Sequence, residues 1–478
     1  MIFNSVEFAL FLPIVFAIYW FVVQKNLKAQ NLFLLIASYV FYGFWDWRFL
    51  SLIILSSFID YSIGLKLGNT QAPKTRKKLV AASLFINLGF LFFFKYFNFF
   101  VDSFVAAFTL FGQPFEVSRL NIILPIGISF YTFQTLSYSI DIYRKKLEPT
   151  KDIIAFFAFV SFFPQLVAGP IERATNLLPQ FSKRRKFDYT QAVDGVRQIL
   201  WGLFKKVVIA DNCAIYVNDI FLNYSDYSGT TLLLGGVLFA FQIYGDFSGY
   251  SDMAIGISRL FGFNLMQNFA FPYFSRDIAE FWRRWHISLS TWFRDYLYIP
   301  LGGSRGGTSM KVRNTFIIFL VSGFWHGANW TFIFWGFINA CFFLPLLLGK
   351  SNRTHLNIVA NDSVLPTLKE LCQIGITFLM TVFAWIFFRA NDISHAFDYL
   401  YHLIAHFNFS MPNIMSLELC LNLLLLIIIE WIHRKKQHGL QFDSVHTSFR
   451  LHWLVYAIVI AAILTFEGKQ QEFIYFQF

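Results

Sequence analysis

Two histidines and a group of arginines are the residues of this chain best suited to chemistry. His326 stands in the run LVSGFWHGANWTFIFWG, between Trp325 and Gly327, where almost every neighbour is apolar. Ionisable groups at membrane depth are costly to bury and mark functional sites. One reading of His326 is a core histidine hydrogen-bonded to a neighbouring helix; the other is a base in a tunnel. Gly323, Gly327 and Ala328 would let a ligand approach the imidazole closely, and Asn329 offers it a polar partner. His286 lies in FWRRWHISLSTWFRDYLYIPLGGSRGG, crowded by Arg283, Arg284, Arg294 and Asp295 and by Trp282, Trp285 and Trp292. A neutral imidazole, with a pKa of about 6.5, can take a proton from a hydroxyl and return it. A hydroxyl attacking a thioester needs little more than that, correct positioning and donors near the carbonyl oxygen. Arg283, Arg284 and Arg294 could hold the phosphates of coenzyme A at the inner face.

The elements that must position these groups are membrane helices. The chain has 478 residues, 56% of them hydrophobic and 21% aromatic, with only 14% charged. Soluble domains carry about 25% charged residues, so the composition is that of a polytopic membrane protein. A net charge of +11 would suit a nucleic-acid partner at first sight. The basic residues fall in short loops between apolar runs, however, which is the positive-inside pattern. They make a surface for anionic lipid head groups or a phosphorylated cofactor. Cys213, Cys341, Cys372 and Cys420 are scattered without paired spacing, which argues against a disulfide framework and against a metal site. The first apolar run has no basic flank or small-residue cleavage site and reads as a retained helix.

A spanning helix needs about 20 apolar residues. The first candidates are residues 6–23, 32–63 (long enough for two passes turning near Trp45 to Arg48), 79–111 and 122–142. Basic loops at 66–78 and 144–151 flank the last two, so 79–111 reads as one long tilted helix. Residues 153–169 end in Phe162-Phe163-Pro164-Gln165 and Ala168-Gly169-Pro170, which indicates a broken or re-entrant segment tolerated only where protein covers it. Residues 172–194 are polar and basic and read as cytoplasmic surface. Further spans fall at 199–214, 232–257, 372–388, 417–432 and 451–466, with an interfacial amphipathic helix in DISHAFDYLYHLIAHF. Asp246 and Asp252, in YGDFSGYSDMAIG, read as carboxylates paired with arginines rather than as catalytic groups. The expectation is an all-α polytopic membrane protein of about eleven segments around a central tunnel with re-entrant pieces. It forms one domain over residues 1–478, because no polar gap reaches the roughly 50 residues of a soluble domain.

No Walker loop, dinucleotide fingerprint or HExxH is present. WRRWHISLSTWFRDYLYIPLGGSRGG and LVSGFWHGANWTFIFWG resemble the signature segments of the membrane-bound O-acyltransferase (MBOAT) family. The resemblance is to the bacterial branch with the alginate O-acetylase membrane subunit and the peptidoglycan O-acetyltransferase. LPIGISFYTFQTLSYSIDIYR, FFPQLVAGPIER and DFSGYSDMAIG are similar to that branch too, so the likeness covers most of the chain. It implies that His326 is the intramembrane catalytic histidine and His286 the second histidine. It also implies an acyl donor entering from the cytoplasm and a group delivered to the outer side. FIYFQF, residues 473–478, resembles the C-terminal motif of the small membrane partner in teichoic-acid D-alanylation. That resemblance implies that Tyr475 carries the acyl group and that residues 467–478 form an acyl-carrying tail. An aromatic belt at the membrane interface is the plainer account of the same residues.

The resulting expectation is an acetyltransferase of the bacterial inner membrane. It would move acetyl from cytoplasmic acetyl-CoA to a cell-envelope polysaccharide by way of a periplasmic polysaccharide O-acetyltransferase. Peptidoglycan is the favoured acceptor, with alginate or another exopolysaccharide the alternative. Both termini are expected in the periplasm, the second because the loop 433–450 carries Arg434, Lys435, Lys436 and Arg450. Membrane lipids are the remaining partner; no metal and no nucleic acid are expected. The rival of a different class is a small-solute transporter, which would show inverted repeats with paired broken helices. The sequence contains no such repeat.

Overall fold

Long apolar runs can cross a bilayer only if their backbone groups bond internally, and this chain meets that demand with helices. The computed structural model describes residues 1–110, 119–409, 415–442, 449–466 and 471–474, and among them no strand occurs. The chain divides into two units: Met1–Ala192 with Ile257–Leu265, and Val193–Gly256 with Met266–Phe478.

In the first unit the helix starts are set by short polar side chains. Ser5 accepts from the Phe8 N–H, and Asn26 from those of Lys28 and Ala29, opening the helices Val6–Ala17 and Leu27–Asp46. The two passes expected in 32–63 are Leu27–Asp46 and Leu50–Asn69. They part at a short turn, Trp47–Phe49, where Asp46 accepts from the Arg48 N–H. Pro73–Leu91 runs through a widened π turn, Phe92–Tyr96, into Phe97–Leu110, which is the single long helix anticipated there. Beside them lies the almost wholly buried helix Ile128–Tyr143. Its Ser139 and the neighbouring Ser83 and Asn87 all donate to Asp60, at 2.8, 2.5 and 2.7 Å. A buried carboxylate with three donors is satisfied in place.

Two expectations about basic residues change in this unit. Arg76, counted as a loop marker, is buried and donates to the carbonyls of Leu67, Ile142 and Tyr143 at two helix ends. Those are carbonyls a helix cannot satisfy itself. Arg185, expected on the surface, is also buried: it donates to Gln30 and Asn31 and lies 4.8 Å over the Phe263 ring. The segment 153–169 is broken as expected. Its helix stops at Val160, and residues 161–172 turn under full cover of protein.

The second unit holds the functional candidates. Tyr189–Phe204 passes through a π turn, Lys205–Ala210, into Asp211–Leu222, and packs along Gly229–Leu260. The two helices touch at glycines: a Cβ on Gly202 would sit 2.5 Å from the Gly249 carbonyl. Such contact brings backbones close and lets polar side chains bridge helices. A second close pair is the hairpin Gly307–His326 and Trp330–Leu348, where a Cβ on Gly323 would meet the Phe332 carbonyl at 2.2 Å and one on Gly336 the Phe319 carbonyl at 2.3 Å. Leu368–Arg389 starts with a capping box between Thr367 and Glu370. Ile393–Ala405, Leu417–Ile432 and Phe449–Thr465 complete the unit, the first of them the amphipathic helix expected there.

Among the described residues, five helical runs are long and apolar enough to cross a membrane: Leu27–Asn69, Pro73–Thr109, Gly229–Leu260, Trp330–Leu348 and Leu368–Arg389. Val6–Val22 and His452–Thr465 are shorter apolar helices. The count of about eleven is not reached by this measure. Runs such as 122–142 are helical only in part, since that helix begins at Ile128.

Candidate functional site

The segment around His286 is two short helices of about two turns each, Ile278–Arg284 and Ile287–Phe293, folded against each other. Asp277 caps the first by accepting from the Glu280 N–H at 2.6 Å. His286 makes the corner, with a left-handed backbone (φ 44°) that side chains other than glycine seldom adopt. Such strain persists where surrounding bonds hold it, and here they do. The His286 ring is buried and its Nδ1 lies 3.0 Å from Asn268 Oδ1. The Ser288 N–H and hydroxyl donate to that same oxygen at 3.3 and 2.8 Å, while Asn268 Nδ2 donates to Ser251. A backbone N–H can only donate, so the atom is the amide oxygen and His286 must carry its proton on Nδ1. Nε2 is then a bare acceptor, and it has no hydrogen-bond partner among the described residues. Burial pushes the His286 pKa down to about 3, so the ring is neutral at physiological pH.

His326 is placed differently. It is the last residue of Gly307–His326, and Gly327 leaves the helix in extended conformation. The ring is buried among Trp325, Trp335 and Phe388, with centroids 5.0, 5.1 and 5.4 Å away. Asn329, expected as its polar partner, instead caps the next helix through Thr331 N–H and donates to the Asn391 carbonyl.

The two histidines line one cavity of about 100 Å³, closed by Trp282, Trp285, Leu289, Phe293, Ile318 and Phe319. Ser290 and Ser322 line it too, and the Trp282 indole N–H is buried without a partner among the described residues. These three groups are potential donors to a carbonyl oxygen and were invisible in the sequence, where serines on short helices have no distinctive spacing. A second cavity of about 240 Å³ shares Ser290, Ile318 and Phe319 with the first and carries Arg294, Tyr298, Ser304, Asn352 and Arg353. The two cavities adjoin at these three residues, with the arginines at one and the imidazoles at the other.

The arginines separate into two kinds. Arg294 is largely exposed at the second cavity, paired with its neighbour Asp295 at 2.7 Å. Arg283 and Arg284 line neither cavity. Arg283 donates to the carbonyls of Asn352 and His355; Arg284 bonds Glu280 at 2.7 Å and the carbonyls of Ala270 and Asn357. With Arg276, which also grips Glu280 and the Asn357 carbonyl, they tie the 352–357 loop to the short helices. Arg353, at the same mouth, was missed because it sits in a stretch with no motif.

Asp246 and Asp252 pair with lysines, not arginines. Asp252 meets Lys205 at 2.5 Å and Gln198 at 2.7 Å; Asp246 meets Lys206 at 2.8 Å, and Lys206 meets Asp211 at the same distance. The cause is the π turn at Lys205–Ala210, which faces two consecutive lysines towards the glycine-lined helix. Tyr475 lies outside the described residues. The tail is described over 471–474, where Phe473 and Ile474 are buried.

Comparison with known proteins bears on this arrangement. The model of the MBOAT, membrane-bound O-acyltransferase family matches residues 144–360. A probable alginate O-acetylase of Pseudomonas aeruginosa is 43% identical over 400 residues, which are 83% of this chain and 73% of that protein. A peptidoglycan O-acetyltransferase of Helicobacter pylori is 34% identical over 511 residues, 99% of this chain and 90% of that protein. A teichoic acid D-alanyltransferase of Bacillus subtilis is 29% identical over 287 residues, 58% of this chain and 71% of that protein.

Proposed function

From the premise that this chain belongs to the membrane-bound O-acyltransferase family and is an acyltransferase, we propose that it moves acetyl from acetyl-CoA towards a cell-envelope polysaccharide. The observation that carries the reading is the cavity lined by both His286 and His326, next to a second cavity that carries Arg294 and Arg353. Acetyl-CoA enters from the cytoplasm with its phosphates near Arg294 and Arg353, as guanidinium groups bind phosphate well. Arg283 and Arg284 brace the rim. The thioester reaches between the imidazoles. His286 offers a fixed acceptor to the donor's amide N–H, and His326 is the base.

Tyr475 is the receiving hydroxyl. A phenol has a pKa of about 10 and attacks a thioester at neutral pH only with a base beside it. His326 takes the phenol proton as the oxygen bonds to the acetyl carbon. Ser290, Ser322 and the Trp282 indole N–H are the donors available to the carbonyl oxygen as negative charge develops on it. The carbon–sulfur bond then breaks, and the imidazolium returns the proton to the leaving thiolate of coenzyme A. The acetyl ester on Tyr475 passes to a periplasmic O-acetyltransferase, both termini of the chain lying on that side.

The likeness to the peptidoglycan O-acetyltransferase extends over 99% of the chain and favours peptidoglycan as acceptor. The 43% identity to the probable alginate O-acetylase supports an exopolysaccharide as the second reading. Comparing O-acetyl content of peptidoglycan and exopolysaccharide in cells with and without the gene separates them. The transfer itself is tested by intact mass after incubation with acetyl-CoA. One acetyl group is expected on the tryptic peptide 470–478 and none in Tyr475→Phe. Normal acetylation of the partner by Tyr475→Phe would remove the carrier role.

A further inference from the structure

The Lys206 cluster has one cation for two acids, since Lys206 pairs with both Asp211 and Asp246 at 2.8 Å and the side chains of all three are nearly inaccessible. An uncompensated buried carboxylate is strongly destabilising. The neighbouring pair, Lys205 with Asp252, is balanced one to one and has Gln198 and Ser248 as further partners. What the unbalanced cluster meets is the tail. The Ile474 N–H donates to Asp246 Oδ2 at 2.7 Å, and Lys206 donates to the Gln471 carbonyl at 3.2 Å. Phe473 between them packs 5.2 Å from the Tyr250 ring and 6.3 Å from Phe247. Upstream, Asn212, on the helix that follows the π turn, donates to the carbonyl of Phe466. The Phe247 ring also stands 4.6 Å from the His286 imidazole, so one ring touches both the tail's seat and a histidine that lines the cavity.

We propose that Lys206, Asp211 and Asp246 form a receptor for a peptide segment, occupied by this chain's own residues 471–474. These two acids and one base are positioning residues. The cluster grips two backbone groups, Tyr250 and Phe247 pack the Phe473 ring between them, and the seat thereby registers the next residue, Tyr475, against the histidines. The inference rests on the acyl-tyrosine reading for its purpose, though not for its geometry. Because the grip is on backbone, it is indifferent to whether the following side chain carries acetyl. The loaded tail is therefore released by competition from the partner and not by the acetylation itself.

Hydrogen exchange on the full chain in detergent, read by mass on the C-terminal peptide, tests the seat directly. In the wild type at least one amide of residues 471–474 exchanges slowly. Asp246→Ala removes a charge-assisted hydrogen bond and should speed that exchange about tenfold or more. Phe473→Ala, a change in the tail that leaves the helices untouched, should do the same and decides the matter if Asp246→Ala fails to fold. Both should lower kcat for tail acetylation and leave KM for acetyl-CoA unchanged, while Tyr475→Phe keeps the protection. If both variants keep wild-type exchange and transfer while Tyr475→Phe abolishes transfer, the seat is wrong and the carrier reading stands. If both lose protection while Tyr475→Phe still transfers, the seat stands without the carrier.

Discussion

The two histidines share a cavity and almost nothing else. His286 is held by a chain of hydrogen bonds through Asn268 to Ser288 and Ser251, in a strained backbone, with its proton fixed on one nitrogen. His326 ends a helix amid three aromatic rings. One ring is held as a neutral acceptor by a polar network; the other is bounded by aromatic faces. The same residue type is given two different surroundings in one cavity.

The sharpest way to break this contrast is His326→Ala. Loss of a general base predicts about a 10²–10⁴-fold fall in transfer, with the helix hairpin intact by circular dichroism. Activity within a few-fold of wild type would mean that the roles are reversed. Asn268→Ala attacks the other side of the contrast. It leaves the Ser288 N–H and hydroxyl and the His286 N–H without their acceptor, at about 1–3 kcal/mol for each buried group not rescued by water. The melting temperature should fall, and kcat with it; an unchanged melting temperature would show that His286 is not locked by Asn268. The smallest effect belongs to the mouth. Arg294→Ala should raise KM for acetyl-CoA about tenfold or less at an exposed, salt-screened site and leave kcat alone, because a phosphate contact binds ground and transition states alike. A collapse of kcat at constant KM would move Arg294 into the chemistry.

Sequence reading found the helices wherever an apolar run met a polar cap, as at Ser5, Asn26 and Asp392. It singled out both histidines, because imidazole is conspicuous in apolar or tryptophan-rich surroundings. It could not sort the arginines, for a reason that applies widely. A guanidinium has five donors, which suit helix-end and loop carbonyls as well as phosphate, and nothing in spacing distinguishes the two uses. Arg76 and Arg283 spread their donors over backbone oxygens, and Arg434 does so at Val359, Ala360 and Ser363. Arg76 and Arg434 read as loop charges, and Arg283 as a phosphate ligand. The partners of Asp246 and Asp252 were hidden for another reason: the two lysines lie 40 and 47 residues upstream, joined to them only where glycines let the helices close.

The hairpin that carries His326 has a consequence of its own. Its two helices meet backbone to backbone at Gly323 and Gly336, with no side chain between them to yield. The wall of the 100 Å³ cavity that the first of them supplies, through Ile318, Phe319, Ser322 and His326, is therefore stiff. Packed interiors resist the expansion that a larger guest would demand. A guest that parted the two helices would have to break a backbone contact that exists because two positions carry no Cβ.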